Sequence, residues 1–188
     1  QVKHEGAWNA HPGAARQLLL RLGKDSAIPV NLKRVSIDLE RDDIAAYPFL
    51  FFTGLDDFVL TAKQIEVLQK HVNRGGTLVV NNALGLATFH QAAVRELARA
   101  FPHNRLALLP QKHEIFRSLH TISRVKYTPT LMKDKGKELN GLPVLFGAKV
   151  GGRTAVLYSP FDIEGGWNEV RYPLCRGYQS KSAKQLGC

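Results

Sequence analysis

A chain of 188 residues with 44% hydrophobic side chains has material for one good core, and domain-size scaling favours one domain over two. No run of about 20 apolar residues occurs, which excludes a membrane-spanning helix, and no basic, apolar, small-residue leader precedes Gln1. The net charge of +10 is uneven: residues 1–100 hold 12 basic and 10 acidic side chains, residues 101–188 hold 14 and 6, so the back half can attract polyanions or simply present a solvated face.

Gln1 stands close to a first strand over residues 1–4. Pro12 suits the first turn of a helix whose Ala14, Leu18, Leu19 and Leu22 repeat at helical spacing, with Gly23 as its stop. Val35, Ile37 and Leu39 alternate with polar residues as a half-buried or edge strand, and Asp42 is placed to cap a short helix ending before Pro48. Phe49 to Phe52 is apolar on both faces, as a strand sandwiched between helices must be.

Thr61 and Gln64 form a capping box for a helix over 62–73, with Leu60 and Ile65 as its hydrophobic staple. Ile65, Leu68 and Val72 make its buried stripe, Gly75-Gly76 turns the chain, and Thr77 to Val80 is a second buried strand. Thr88 and Gln91 repeat the capping-box pattern for a helix through Val94, Leu97 and Ala98 towards Phe101-Pro102. Leu106 to Leu109 is the next strand. Beyond Pro110 come a short element at Ile115-Phe116, an exposed loop in which Lys133, Lys135 and Lys137 alternate with other residues, and a hairpin. The hairpin pairs Val144–Lys149 with Thr154–Tyr158 across Gly151-Gly152. Ser180–Cys188 reads as a helix that stops before its signals do, so the chain is expected to be a single α/β domain, a fragment of a longer protein. Strand and helix alternate as in a doubly wound, mainly parallel sheet of flavodoxin-like, Rossmann-like order, and the hairpin is expected to extend one edge.

Ala7-Trp8-Asn9, Tyr47-Pro48-Phe49 followed by Thr53-Gly54, Arg74-Gly75-Gly76-Thr77, Phe101-Pro102 and His113-Glu114-Ile115-Phe116, in this order, resemble the bacterial domain of unknown function 4159 family. The resemblance covers most of the chain. It implies a class I glutamine amidotransferase-like, flavodoxin-like domain, similar in outline to the trehalose-utilisation proteins, and it implies no established reaction. Family members often carry an acidic pair after the fourth strand and a His-Pro pair further on. Here those places hold Asn81-Asn82 and His113-Glu114, which weakens any acid-base role there. An amidotransferase presents a cysteine on a tight turn after a central strand. The corresponding turn, Asn81 to Gly85, has none.

In open parallel sheets ligands bind beyond the carboxyl ends of the strands. That rule selects His4, Glu5, Trp8 and Asn9 after the first strand, Thr53, Gly54, Asp56 and Asp57 after the third, and Asn81, Asn82 and Gly85 after the fourth, with His113 and Asp162 closing from later loops. Each has a structural alternative. Trp8 suits packing better than stacking, Asn81 and Asn82 bind a ligand or cap a turn, and Asp56-Asp57 make a turn most simply. Asp162, Glu164, Gly165, Gly166 and Trp167 form a loop that covers a ligand or wraps the sheet edge.

His113, Glu114 and Asn82 are the candidate catalytic set, His113 as general base, although a structural histidine is the commoner case without a nucleophile. Cys175 is expected to be an inert thiol, since a reactive thiolate needs a cation or base and Arg176 is a weak one. Gly75-Gly76 and Gly151-Gly152 lack the Lys-Ser or Lys-Thr ending of a phosphate loop, and neither histidines nor cysteines have metal-ligand spacing. No cofactor, metal or tightly bound nucleotide is expected.

The leading expectation is a non-catalytic ligand-binding or protein-interaction module, with a protein partner in the bacterial envelope or periplasm suggested by the resemblance. A hydrolase-like enzyme on a small polar substrate and a polyanion-binding domain acting through the basic C-terminal half are the alternatives.

Overall fold

The computed structural model describes residues 1–169 and 172–188. In chain order the elements are α1 (Ala14–Asp25), β1 (Phe49–Gly54), α2 (Ala62–Asn73), β2 (Thr77–Asn82), α3 (Ala87–Ala100), β3 (Ala107–Leu108), α4 (Pro129–Leu139), β4 (Phe146–Val150), β5 (Arg153–Ser159), α5 (Glu164–Trp167) and α6 (Ser180–Gly187). Single 3-10 turns stand at Ala83–Gly85 and Glu114–Phe116.

They build a mixed α/β fold around a five-stranded sheet of order β1-β2-β5-β4-β3, parallel from β1 through β2 to β5 and antiparallel from β5 outward. Beyond β1 the chain adds two short extended segments. Val2 donates from its backbone N–H to Phe51 O (2.8 Å), Lys3 donates to Ile37 O (2.8 Å), and Val2 and Ile37 form a parallel bridge.

The period-2 alternation of the strands divides two cores. Leu50, Phe52, Leu78, Val80, Val156 and Tyr158 face α2 and α3, meeting Leu68, Val72, Phe89 and Leu97. Phe51, Val79 and Leu157 point to the opposite side, where Trp167, Tyr178, Ala183, Leu131 and Leu18 pack. Apolar residues on both faces of β1 and β2 are what a sheet covered on both sides requires, and each such fully buried side chain contributes roughly 1.5–3 kcal/mol.

Local chemistry fixes the units. Thr61 and Gln64 form the expected capping box, Thr61 Oγ1 accepting from Gln64 N (3.1 Å) and Gln64 Oε1 from Thr61 N (3.0 Å). Gly75 ends the unit at φ +103, where a side chain is strained. Gly151 and Gly152, at φ +58 and +84, make the two-residue hairpin turn whose twist matches its strands.

Five expectations are corrected. Gly23 lies inside α1, which runs on to Asp25. No helix forms at 42–47, because the Asp42 carboxylate accepts from Asp38 N (2.7 Å) and closes a turn instead. Thr88 does not cap α3. Its hydroxyl donates to Leu55 O (3.0 Å), and the cap residue is Leu86, whose N–H goes to Asn82 Oδ1 (3.0 Å). The hairpin is not an edge appendage: β5 enters the middle of the sheet beside β2, and β3 takes the edge, so the sheet is mixed. Lys133, Lys135 and Lys137 lie on the exposed side of α4, which Thr128 and Pro129 open at cap and first turn.

No helix among the described residues is long and apolar enough to cross a membrane.

Candidate functional site

The carboxyl ends of β1, β2 and β5 converge on one buried polar cluster. Thr53 and Asn81 are the penultimate residues of β1 and β2, and Asp162 and Glu164 follow β5 into α5; all four are 0% exposed. His11 reaches them from the loop between the first extended segment and α1, 2% exposed. That loop is held by Arg34, whose guanidinium donates to Gln1 Oε1 (2.7 Å) and Asn9 Oδ1 (2.5 Å) and lies over the Trp8 ring at 5.4 Å.

Asp162 is the hub. Its Oδ1 accepts from Asn81 Nδ2 (3.1 Å) and Gly165 N (3.1 Å), and its Oδ2 meets His11 Nε2 (3.0 Å) and the Cys175 thiol (3.5 Å). Asn81 Nδ2 is shared with Thr53 Oγ1 (3.1 Å), its Oδ1 accepts from Ile163 N (2.9 Å), and the Thr53 hydroxyl donates to Glu164 Oε2 (2.9 Å). Two polar atoms in the cluster, Glu164 Oε1 and His11 Nδ1, have no partner; such atoms are where ordered water or a ligand atom binds in folded proteins.

The charges follow from these contacts. Burial works against ionising Asp162, but His11, Gly165 N and Asn81 together hold its carboxyl below the usual range. Burial likewise opposes a charge on His11, and the hydrogen bond and charge of Asp162 overcome it, raising the imidazole above its ordinary value. Each partner favours the charged form of the other. Glu164 is pushed up to about 7 by burial, with the Asp162 charge adding to it, so it holds or releases a proton near neutrality. Burial, with Asp162 beside it, also drives the Cys175 thiol upward, so the thiol stays protonated and inert.

The turn between β2 and α3 has a strained residue, Leu84, at φ 56 and ψ 0. A left-handed conformation costs a non-glycine residue about 1–2 kcal/mol. Here Arg176 N, donating to Leu84 O (3.0 Å), and Gly85, packed against the Arg176 backbone, hold the turn in place.

Of the sequence-selected residues, Thr53, Asn81 and Asp162 meet in the cluster, and the others stand apart from it. His4 stacks on Phe52 (4.1 Å) beside Phe58 and Phe89 and donates to Thr53 O (2.8 Å); burial lowers its pKa to about 4, so it is a neutral core residue. Gly54 admits no side chain beside Gly6 and Phe89. Asn82 clamps the β2–α3 turn through Leu86 O (3.0 Å) and Pro160 O (3.1 Å). Asp57 pairs with Arg95 (2.9 Å).

The set His113, Glu114 and Asn82 is not brought together. His113 accepts from Ile115 N (3.2 Å) through Nδ1 and meets Thr154 Oγ1 (2.9 Å) through Nε2, at the start of β5. Asn81, the residue before Asn82, pairs with Ser159 at the far end of β5, five residues and roughly 16 Å further along. His113 and Glu114 instead line a separate 640 Å³ pocket with Lys112 and Arg117.

Sequence reasoning missed His11 and gave Glu164 only a covering role. His11 lies in the same post-strand loop as Trp8 and Asn9, so the strand-end rule extended by two residues finds it. The α5 segment wraps the sheet, Trp167 packing on Phe51 (5.4 Å) and donating to Ala183 O (2.8 Å).

Outside the cluster, across Gly165 and Cys175, opens a groove of about 1160 Å³ between residues 121–129 and 172–185. Among the described residues no group of three or more His, Cys, Asp or Glu side chains has the geometry to hold a metal ion.

No curated protein matches the chain. The profile of the domain of unknown function DUF4159 matches it over residues 1–188, and the chain belongs to that family.

Proposed function

We propose that this chain is a non-catalytic ligand-binding or interaction domain of flavodoxin-like, class I glutamine amidotransferase-like architecture, part of a longer bacterial envelope protein. The order of the extended segments 35–39 and 1–4 followed by β1, β2 and β5 supports that architecture. The observation that carries the reading is Leu84: the strained strand-to-helix turn is built, and the residue on it has no nucleophilic atom. The neighbouring hydroxyls and thiol do not replace it. Thr53 donates to Glu164, Ser159 to Phe161 O (2.5 Å) and Cys175 to Asp162. The groove of about 1160 Å³ is the open concavity beside this cluster, of a size for a metabolite or a peptide segment.

Incubation of the purified chain with panels of small amides and esters, followed by mass spectrometry, tests the reading. No turnover, with ligand-induced shifts of groove resonances in an amide NMR spectrum, is expected. Turnover that Glu164→Gln or His11→Ala abolishes sinks it.

A further inference from the structure

We infer that the groove between residues 121–129 and 172–185 binds a small anionic molecule, one bearing carboxylate or phosphate groups, with Lys126 and Lys181 as its charge partners. This rests on the ligand-binding reading and names the ligand class.

Charge balance is the first argument. Arg124, Lys126 and Lys181 line the groove, and none of them makes an ion pair among the described residues. Basic residues close by are paired: Arg176 with Asp134 (2.6 Å) and Lys184 with Glu169. Among the described residues Glu169 is the one acid lining the groove, and Lys184 already meets its charge, so Lys126 and Lys181 line the opening uncompensated. A concave wall concentrates the field of such charges.

Rigidity is the second. The two cations stand on backbone fixed from both sides: Tyr127 and Tyr178 form an antiparallel bridge, Gln179 N donates to Lys126 O (2.8 Å), and Lys126 N donates to Ser182 Oγ (2.9 Å). The spacing of the two lysine attachment points is set before a ligand arrives, which lowers the ordering cost of binding.

The remaining free groups complement an anion. The Thr121, Ser123 and Ser180 hydroxyls and the Gln185 amide line the groove without a side-chain hydrogen bond among the described residues, and each can donate. A cationic ligand would meet Lys126 and Lys181 with no free carboxylate to offset them. An extended polyanion would also engage Lys133, Lys135 and Lys137 on α4, which lie outside the groove.

Calorimetric titration with citrate, inorganic phosphate and a heparin oligosaccharide, at low and at physiological salt, reads the inference out. Citrate or phosphate is expected to bind saturably, one per chain, and the better of the two identifies the acid group. Lys126→Ala/Lys181→Ala should weaken binding on the order of tenfold or more. The control pair Lys133→Ala/Lys135→Ala should leave it unchanged. No binding of either small anion overturns the inference, as does heparin binding that both double variants weaken equally. Should the small anions fail while a neutral saccharide or peptide shifts the Gln185 and Tyr172 resonances, this inference falls and the ligand-binding reading stands. Turnover of amides or esters would remove that reading itself.

Discussion

The buried cluster and the groove lie on opposite sides of Gly165 and Cys175, and they use polar side chains in opposite ways. In the cluster Thr53, Asn81, His11 and Asp162 bond one another at the carboxyl ends of three parallel strands, 2% exposed or less. In the groove Lys126, Lys181, Ser180 and Gln185 face open space. The strand-end rule leads to the first region, where the fold's own needs absorb the chemistry; the groove, reached from the loops beyond β5, keeps its donors available. Substitutions in the cluster therefore act on stability and those in the groove on binding.

The strongest test of that contrast is Asp162→Ala. It leaves the buried His11 ring, the Asn81 amide and Gly165 N–H without their acceptor, and removing one partner of such a buried network costs on the order of 3–5 kcal/mol. Equilibrium urea unfolding measures it; a loss below about 1 kcal/mol would mean the cluster does not hold the fold.

The pH dependence sharpens the same point. Asp162 sits below its ordinary 3.8, so its contribution is present above that value and is lost as pH falls through its lower folded pKa. Glu164 is raised from 4.5 to about 7, so its contribution is complete below 4.5 and is lost as pH rises towards 7. Its magnitude is on the order of 3 kcal/mol. His11, raised above 6.5, adds stability below that value that is lost as pH rises through its folded pKa. His4, lowered from 6.5 to about 4, works the other way: its contribution is lost as pH falls from 6.5 towards 4, so Glu164 and His4 largely offset each other over that interval. Glu164→Gln should therefore make stability rise more steeply with pH between 4.5 and 6.5 than it does in the wild type, and identical profiles would contradict the assignment.

What the sequence showed and what it hid divide by range of interaction. The unit from Tyr47 to Asn82 was legible because its signals are local: a capping box within four residues, two buried strands and a glycine turn. The place of β5 was hidden because pairing with β2 rather than the sheet edge depends on contacts such as Arg153 donating to Val72 O (3.0 Å), 81 positions away. α4 was hidden for another reason. It buries only Leu131 fully, so its apolar stripe is too thin to show period 3.6, although Thr128-Pro129 at its start was a readable cap. In the cluster, Thr53 and Asn81 follow from the strand-end rule and Asp162 from the loop expected to close over it, whereas His11 and the Lys126–Lys181 pair depend on how loops far apart in sequence fold back.

Gly165 is where the two regions touch. A Cβ there would stand 2.6 Å from Asp162 Oδ2 and 3.4 Å from both His11 Nε2 and the Tyr172 ring. Gly165→Ala is expected to cost about 1–3 kcal/mol by forcing the carboxylate aside, measured by thermal unfolding. It should also weaken groove ligands, because the displaced backbone is groove lining. Loss of stability with unchanged binding would show the regions to be independent.

The smallest expected effect is on the groove side. Lys126 and Lys181 are exposed and unpaired among the described residues, so Lys126→Ala/Lys181→Ala removes no contact that the folded state uses. Its unfolding free energy should stay within about 0.5 kcal/mol of wild type at low salt. A small gain is the expected sign, because the chain carries +10 and like charges repel in the compact state. Urea unfolding at low and high salt separates the cases: a gain that vanishes with added salt marks relief of repulsion. A loss above 1 kcal/mol would place the two lysines in the fold's own network, making the groove a second structural region like the cluster beneath it.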